Sequence, residues 1–184
     1  MRRTQPVTTK QNFKFLFVTR NAITSSASRP PLSIRVRATS GVSDAGHQRA
    51  AIRVQQMLRF ASDTLFLRLV NSDLGVFAWN ERGWGTQFPE FAYLADRPEC
   101  VGAMRCSGPC APTCTPDGRK WSSIAGLATA QLAVVLEDNV LCGERDPYRR
   151  GFSVLVHEFA HTVKMGGLRA TPLPQNVCKM TNNE

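Results

Sequence analysis

The chain has 184 residues, of which 42% are hydrophobic and 20% are charged, and its formal net charge is +9. This length and composition are those of a globular domain with a sizeable core. Residues 1–43 carry eight Lys and Arg and no Asp or Glu, which leaves a net charge of +1 for residues 44–184. A basic groove for nucleic acid is therefore not indicated. No apolar run approaches the ~18–20 residues that an integral membrane segment needs.

Residues 1–43 form a basic segment rich in Ser, Thr and Arg. Because transit peptides share this acid-free composition, the segment is predicted to be either a disordered tail or an organellar targeting sequence. Residues 44–184 are expected to form the folded domain. Its first element is predicted to be a helix that Ser43 or Asp44 caps and that runs to about Ala61. His47, near the start of this helix, is interpreted as a surface or packing residue.

The middle of the chain is predicted to form short strands and a short helix. Leu65–Val70 and Gly75–Trp79 have the composition of strands, with a turn between them. Pro89–Leu94 is expected to be a short helix with Pro at its first position. Leu127–Leu136 fits a strand or a buried helix, and periodicity does not choose between them. Three tryptophans are expected either in the core or along a substrate cleft: Trp79, Trp84 and Trp121.

The six cysteines predict a disulfide framework, since their number is even and four of them fall in one loop, residues 95–120. Disulfides imply an oxidising compartment, so we expect a secreted protein; this conflicts with the organellar interpretation of residues 1–43, and both stay open. A structural zinc site in the loop is the alternative, although the cysteine spacing there is not a standard pair. The cysteines are Cys100, Cys106, Cys110, Cys114, Cys142 and Cys178.

The strongest functional signal is the sequence His157-Glu158-Phe-Ala-His161, which matches the His-Glu-x-x-His motif of zinc peptidases. On a helix, residues i and i+4 lie one turn apart on the same face, so two imidazoles can bind one Zn²⁺ at about 2.0–2.1 Å. Glu158 is adjacent to the first ligand and can reach a water on the metal, whose pKa falls from ~15.7 to about 7. We therefore predict His157 and His161 as metal ligands and Glu158 as the general base.

The helix that carries this motif is predicted to be buried on nearly all sides. Gly166 and Gly167 are expected to end it, and Lys164 in the last turn suits the helix dipole. The apolar residues that support the helix are Phe152, Leu155, Val156, Phe159, Ala160 and Val163.

A catalytic zinc site usually has three protein ligands and one open position. The extended motif of metzincins would place Gly at position 164 and His at position 167, where this chain has Lys164 and Gly167, so that class is excluded. Four other residues carry chemically suitable ligand atoms: Glu144, Asp146, Cys178 and Glu184.

The segment from Asn139 through Asp146-Pro-Tyr148 and the His157–His161 motif to Gly167-Leu168 resembles a set of zinc metallopeptidases related to the lethal-factor-like branch of the gluzincins. Weaker likeness covers 43–58 and Pro89-Glu90-Phe91. The resemblance implies an α+β zincin fold, in which a small twisted, mostly antiparallel sheet packs on the active-site helix. It also implies export and a third ligand, a Glu, on a C-terminal helical subdomain. With 23 residues after His161, that subdomain is expected to be missing or very short.

Two functions are therefore expected from the sequence. The first is a metallopeptidase domain that hydrolyses a peptide or protein with Zn²⁺ as cofactor, Glu158 as base and, by proximity in sequence, Tyr148 as a candidate oxyanion stabiliser. The second is an inactive, disulfide-stabilised secreted binding module, or a gene fragment, with a relic zinc site. The sequence does not set the oligomeric state.

Overall fold

The structure is a computed structural model of the chain, and it describes residues 12–78, 87–100, 106–149 and 151–168. Within these residues the strands and helices are β1 (Phe13–Val18), β2 (Ile23–Thr24), β3 (Ile34–Thr39), α1 (Asp44–Leu58), α2 (Asp63–Leu69), β4 (Asp73–Phe77), β5 (Gly126–Ala128), β6 (Leu132–Leu136), α3 (Glu137–Leu141) and α4 (Val154–Thr162). Short 3₁₀ segments lie at Pro89–Leu94, Pro98–Cys100, Gly108–Thr113 and Trp121–Ser123, and a π-helical turn, Val163–Leu168, follows α4.

The six strands form one mixed sheet in the order β2-β1-β3-β4-β6-β5. The predicted α+β class is confirmed. The sheet is antiparallel at its two sides, where β1 pairs with β2 and β3 and where β5 pairs with β6. Its centre is parallel, because β3 pairs with β4 and β4 with β6. The sheet is therefore mixed, and three of the five pairs between the described strands are antiparallel, as predicted for most of the sheet. Parallel neighbours need a crossover connection, which α1 and α2 supply between β3 and β4.

Helices α1 and α4 contact each other and pack on the same face of the sheet, α1 over β1 and β3 and α4 over β5 and β6. The opposite face is covered in part by Phe88, whose ring lies directly on Gly75 of β4. A side chain at Gly75 would overlap this ring, so glycine is required by the close approach. The result is a core on both sides of the central strands, and both Phe77 and Phe88 are fully buried.

Residues 12–43 belong to the folded domain, which corrects the prediction of a disordered or targeting segment that ends at residue 43. Strands β1, β2 and β3 all lie in this part of the chain, and β1 pairs with β3 along six residues. Val18, Ile34 and Val36 are fully buried. The folded unit therefore does not begin at residue 44; residues 1–11 lie outside the described residues.

The basic charge of this segment is matched by acidic groups later in the chain. Lys14 pairs with Asp44 at 2.7 Å and Arg20 with Asp63 at 2.9 Å. On the face of the sheet opposite the helices, three arginines surround the buried Asp73, and one of them also binds Glu90 at 2.7 Å. These arginines are Arg29, Arg35 and Arg37. The basic composition of residues 12–43 thus reflects long-range ion pairing rather than an unstructured tail.

The predicted strand Leu65–Val70 is wrong, since these residues lie in or directly after helix α2. Ser62 caps the helix, and its hydroxyl accepts a hydrogen bond from the Leu65 N–H at 3.2 Å. The helix buries Phe66 and Leu69, three residues apart, while Leu67 is half exposed. This is the spacing of one helical face, and a strand would have buried alternate residues instead.

The other predicted elements are confirmed with small shifts. Ser43 caps α1, and its hydroxyl accepts from the Gly46 N–H at 3.0 Å. Pro89–Leu94 is a 3₁₀ helix, and Leu127–Leu136 resolves into strands β5 and β6. Among the described residues, no helix is long and apolar enough to cross a membrane.

Candidate functional site

Helix α4 presents the His-Glu-x-x-His motif along one edge of the sheet. Ser153 caps it, with its hydroxyl accepting from the Val156 N–H at 3.3 Å. The helix is not buried on all sides, which corrects the sequence prediction: the half facing β5 and β6 is buried, while the half that carries both histidines is exposed. Its buried residues are Val154, Leu155, Phe159 and Thr162.

The end of α4 also differs from the prediction. The α-helix ends at Thr162, and the chain continues as a π-helical turn through Gly166 and Gly167 to Leu168. Both glycines lie close to neighbouring groups: a Cβ at Gly166 would overlap the carbonyl oxygen of Ala130, and one at Gly167 would overlap the side chain of Leu65. These glycines therefore serve close packing rather than helix termination.

His157 and His161 approach each other on the exposed side of α4. Their Nε2 atoms lie 3.1 Å apart, and their rings stand at 87° with centroids separated by 4.6 Å. Two nitrogens bound to one zinc at about 2.0–2.1 Å with a tetrahedral angle would be about 3.3 Å apart. The observed separation is close to this value, so the two imidazoles fit a shared metal ion without a change of helix geometry.

Glu158 lies on the side of α4 that faces strand β5. Its side chain passes next to Gly126, where a Cβ would come within 2.7 Å of Glu158 Cγ. Burial raises the pKa of the Glu158 carboxyl, and the neighbouring His157 partly opposes this change. A carboxyl with a raised pKa next to two ligand-type imidazoles has the properties of a general base or acid.

A cleft of about 660 Å³ lies beside Glu158 and His157. One wall comes from β5 and the start of α4, and another from Trp121 and the end of the cysteine-rich loop, which contributes Asp117 and Arg119. Trp121 lines the cleft and also packs against the core, so it meets both expectations for the tryptophans. Trp79 and Trp84 lie outside the described residues. Tyr148 and Phe152 complete the lining, with their rings 5.3 Å apart.

The cysteine-rich loop is held by two disulfides, which confirms the predicted disulfide chemistry. Cys100 is bonded to Cys110, and Cys106 is bonded to Cys114. Lys120 adds a further tie, because its ammonium group donates to Asp96 and to the Cys100 carbonyl. The loop therefore presents a cross-linked wall to the cleft.

No third metal ligand joins the histidine pair within the described part of the chain, where no group of three His, Cys, Asp or Glu side chains is placed to hold a metal. Glu144 is exposed in the loop before α4. Asp146 is buried, and its Oδ1 accepts hydrogen bonds from Asn139 Nδ2 at 2.9 Å and from the Tyr148 N–H at 3.0 Å. Two other candidate ligands, Cys178 and Glu184, lie outside the described residues.

Asn139 is the residue near the site that sequence reasoning missed. It is buried, and it bonds to Asp146, to the Phe152 carbonyl and to the Val154 N–H. The only signal in the sequence was a run of three polar residues, Glu137–Asn139, that precedes the apolar pair Val140-Leu141. The partners of Asn139 lie 7 to 15 residues away, which no local pattern reveals.

The third histidine, His47, packs in the core, which is one of the two interpretations expected from the sequence. It is 4% exposed, and its Nε2 lies 2.9 Å from the Val36 carbonyl oxygen.

Comparison of this chain with protein-family models, with curated proteins and with solved structures finds no match.

Proposed function

We propose that this chain is a zinc-dependent peptide hydrolase in which His157 and His161 hold the metal and Glu158 is the general base. The observation that carries the proposal is the 3.1 Å separation of the two imidazole Nε2 atoms, with Glu158 at the adjacent cleft. Core histidines are buried and bonded to the backbone, as His47 is. The exposed, mutually facing pair on α4 needs another reason, and a shared metal provides one.

Zinc, when bound, supplies Lewis acidity, which makes a water molecule more acidic and a peptide carbonyl more electrophilic. The chain's own contribution is Glu158. Its carboxylate takes a proton from the attacking water and passes it to the departing amine nitrogen, so the residue acts as base and then as acid. The burial that raises the pKa of Glu158 favours this exchange, because the carboxyl holds a proton more readily than an exposed glutamate does.

The edge of the sheet supports a peptide as the substrate. Strand β5 is the last strand in the sheet order, and it pairs with β6 on one side only among the described strands. An extended peptide can add to such an edge through backbone hydrogen bonds. Because Gly126 of β5 lies against Glu158, a peptide on this edge would pass directly in front of the general base.

We further propose that the protein is exported. Two disulfides cross-link the loop beside the cleft, and disulfides persist in oxidising compartments.

The alternative function is a disulfide-stabilised binding module with a relic zinc site. It is favoured by one observation: only two of the usual three ligands come together within the described residues. Such a protein would bind a peptide without cleaving it, and zinc, if it bound at all, would bind weakly.

The substitution Glu158→Gln separates the two functions. We expect the wild-type chain to cleave members of a quenched fluorescent peptide library, and the variant to lose about 10²- to 10⁴-fold in kcat/KM. The zinc content of the variant should stay that of the wild type, because Glu158 is not a ligand. Glu99→Gln is the control, since Glu99 is an exposed carboxylate that is not among the residues lining the cleft.

Cleavage by the wild-type chain that Glu158→Gln leaves unchanged would contradict the proposed role of this residue. Peptide binding without cleavage by either form would favour the binding module.

A further inference from the structure

We infer that Asn139 and Asp146 position the metal-ligating imidazole of His157, with Phe152 as the intermediary. The inference rests on the proposed function, since it assigns to these residues a role in holding a zinc ligand. None of the three contacts the proposed reacting atoms through the bonds described, so they are positioning residues and not catalytic ones.

The first step is the buried amide of Asn139, which joins three parts of the chain. Its Nδ2 donates to Asp146 Oδ1 at 2.9 Å and to the Phe152 carbonyl at 2.8 Å, and its Oδ1 accepts from the Val154 N–H at 2.7 Å. These partners fix the orientation of the amide, because a carbonyl can only accept and an N–H can only donate. One side chain of α3 thereby holds the two residues that flank the Ser153 cap of α4.

The second step is Asp146, which is 4% exposed. Its Oδ1 accepts from Asn139 and also from the Tyr148 N–H at 3.0 Å. A buried carboxylate is costly unless hydrogen bonds satisfy it, so the Asn139–Asp146 pair is formed as a unit. The unit fixes the backbone at Tyr148 and at Phe152, and with it the two aromatic side chains.

The third step runs from Phe152 to His157. The two rings are tilted at 55° with centroids 5.2 Å apart, and the ring of Tyr148 lies next to that of Phe152, with centroids 5.3 Å apart. Phe152 is 43% exposed, so core packing does not explain its placement. The row of rings Tyr148, Phe152 and His157 continues to His161, and it restricts the rotation of the His157 imidazole.

This restriction matters because of how His157 is bonded. A metal-ligating histidine usually donates its second ring N–H to a carboxylate or a carbonyl, which fixes the ring. Within the described residues, the only hydrogen-bond partner of the His157 ring is His161 Nε2. The contact with Phe152 therefore takes the place of that second hydrogen bond in orienting the ligand.

The test uses the full chain and the variant Phe152→Leu, which removes the ring from an exposed position and should leave the fold intact. We expect its zinc Kd, measured by competition with a chelator, to rise about 10-fold, at the low end of the effect of residues that orient a ligand. The matched control is Phe15→Leu, because Phe15 is 41% exposed and also makes ring contacts, but on β1.

A second variant tests whether the hydrogen bonds of Asn139 are what positions Phe152 and His157. The double exchange Asn139→Asp with Asp146→Asn keeps one amide–carboxylate hydrogen bond and an acceptor for the Val154 N–H, but it leaves the Phe152 carbonyl without its amide donor. We expect this variant to be folded, with a cooperative unfolding transition, and to have a higher zinc Kd than the wild type. If the exchange folds and binds zinc as the wild type does, the role of Asn139 is overturned.

A metal-free measurement separates this inference from the proposed function. In the metal-free chain, Phe152→Leu should widen the range of side-chain torsions that His157 samples, measured by NMR from the three-bond couplings of its Cβ protons, and Phe15→Leu should not. Unchanged His157 couplings would overturn the inference whether or not the chain binds zinc. In a chain that binds zinc, an unchanged zinc Kd in Phe152→Leu would overturn it as well. A wild-type chain without affinity for zinc would overturn the proposed function alone.

Discussion

His47 on α1 and the His157–His161 pair on α4 lie on two helices that pack on the same face of one sheet, yet their surroundings are opposite. His47 is 4% exposed, and its ring nitrogen lies next to the carbonyl oxygen of Val36. The α4 pair is exposed, and its ring nitrogens face each other. The difference separates a histidine that completes the core from an exposed pair that we propose as ligands of a metal.

The two helices also differ in how polar groups fix them. Around α1, the contact of the buried His47 is accompanied by the Lys14–Asp44 ion pair and by the hydrogen bonds from Ser43 to Glu137. Around α4, they are buried neutral groups, Asn139 at the start and Thr162 at the end. Hydrogen bonds of these buried side chains thus hold both ends of the helix that carries the exposed histidines, and they are less screened by solvent than an ion pair at the surface.

The largest effect is expected from deleting residues 1–43. The deletion removes β1, β2 and β3, which exposes the edge of β4 and uncovers the core under α1. We expect the remaining chain to lose its cooperative thermal unfolding transition, measured by circular dichroism against the full chain. A deleted chain that unfolds cooperatively near the wild-type temperature would show that the α4 half of the molecule is independent of the α1 half.

A smaller effect is expected at the end of α4. Thr162 is fully buried, and its hydroxyl donates to the Thr129 carbonyl at 2.8 Å. Thr162→Val keeps the shape but leaves this carbonyl without its donor, which should lower the free energy of unfolding by about 1–3 kcal/mol. Urea denaturation measures the change. Thr24→Val, at an exposed position on β2, is the control and should stay within about 0.5 kcal/mol of the wild type.

The smallest effect is expected from the protonation of His47. Burial lowers the pKa of this imidazole, while its hydrogen bond with Val36 partly opposes the shift. Below the unfolded-state pKa of about 6.5, the unfolded chain therefore binds more protons than the folded chain, and the free energy of unfolding falls as the pH drops. In the presence of a chelator, the wild type should lose more stability between pH 7 and pH 5 than His47→Gln. Equal losses would contradict a neutral, core-bound His47.

Much of the site was predictable because the motif is local. The four-residue spacing of His157 and His161 places their side chains next to each other once the segment is helical. The helix also contains enough apolar residues to pack one of its faces on the sheet. The extent of burial was overestimated because Phe152, Val156 and Ala160 are apolar yet lie on the exposed side.

The remaining features depend on contacts between distant parts of the chain. Arg35 and Asp73 pair over a separation of 38 residues, so the basic composition of residues 1–43 gave no sign of its partners. Leu65–Val70 has strand-like composition, but these residues form a helix because Ser62 caps it and because Phe66 and Leu69 are buried on one helical face. The parallel centre of the sheet depends on crossover connections, which local patterns do not specify.

The most direct test of the central claim is the zinc content of the full chain, measured by mass spectrometry and chelator competition in the wild type, His161→Ala and His47→Gln. We predict near one-to-one zinc in the wild type and in His47→Gln, and loss of zinc in His161→Ala. Zinc that is absent from the wild type, or that survives His161→Ala, would contradict the assignment of the α4 pair as a metal site.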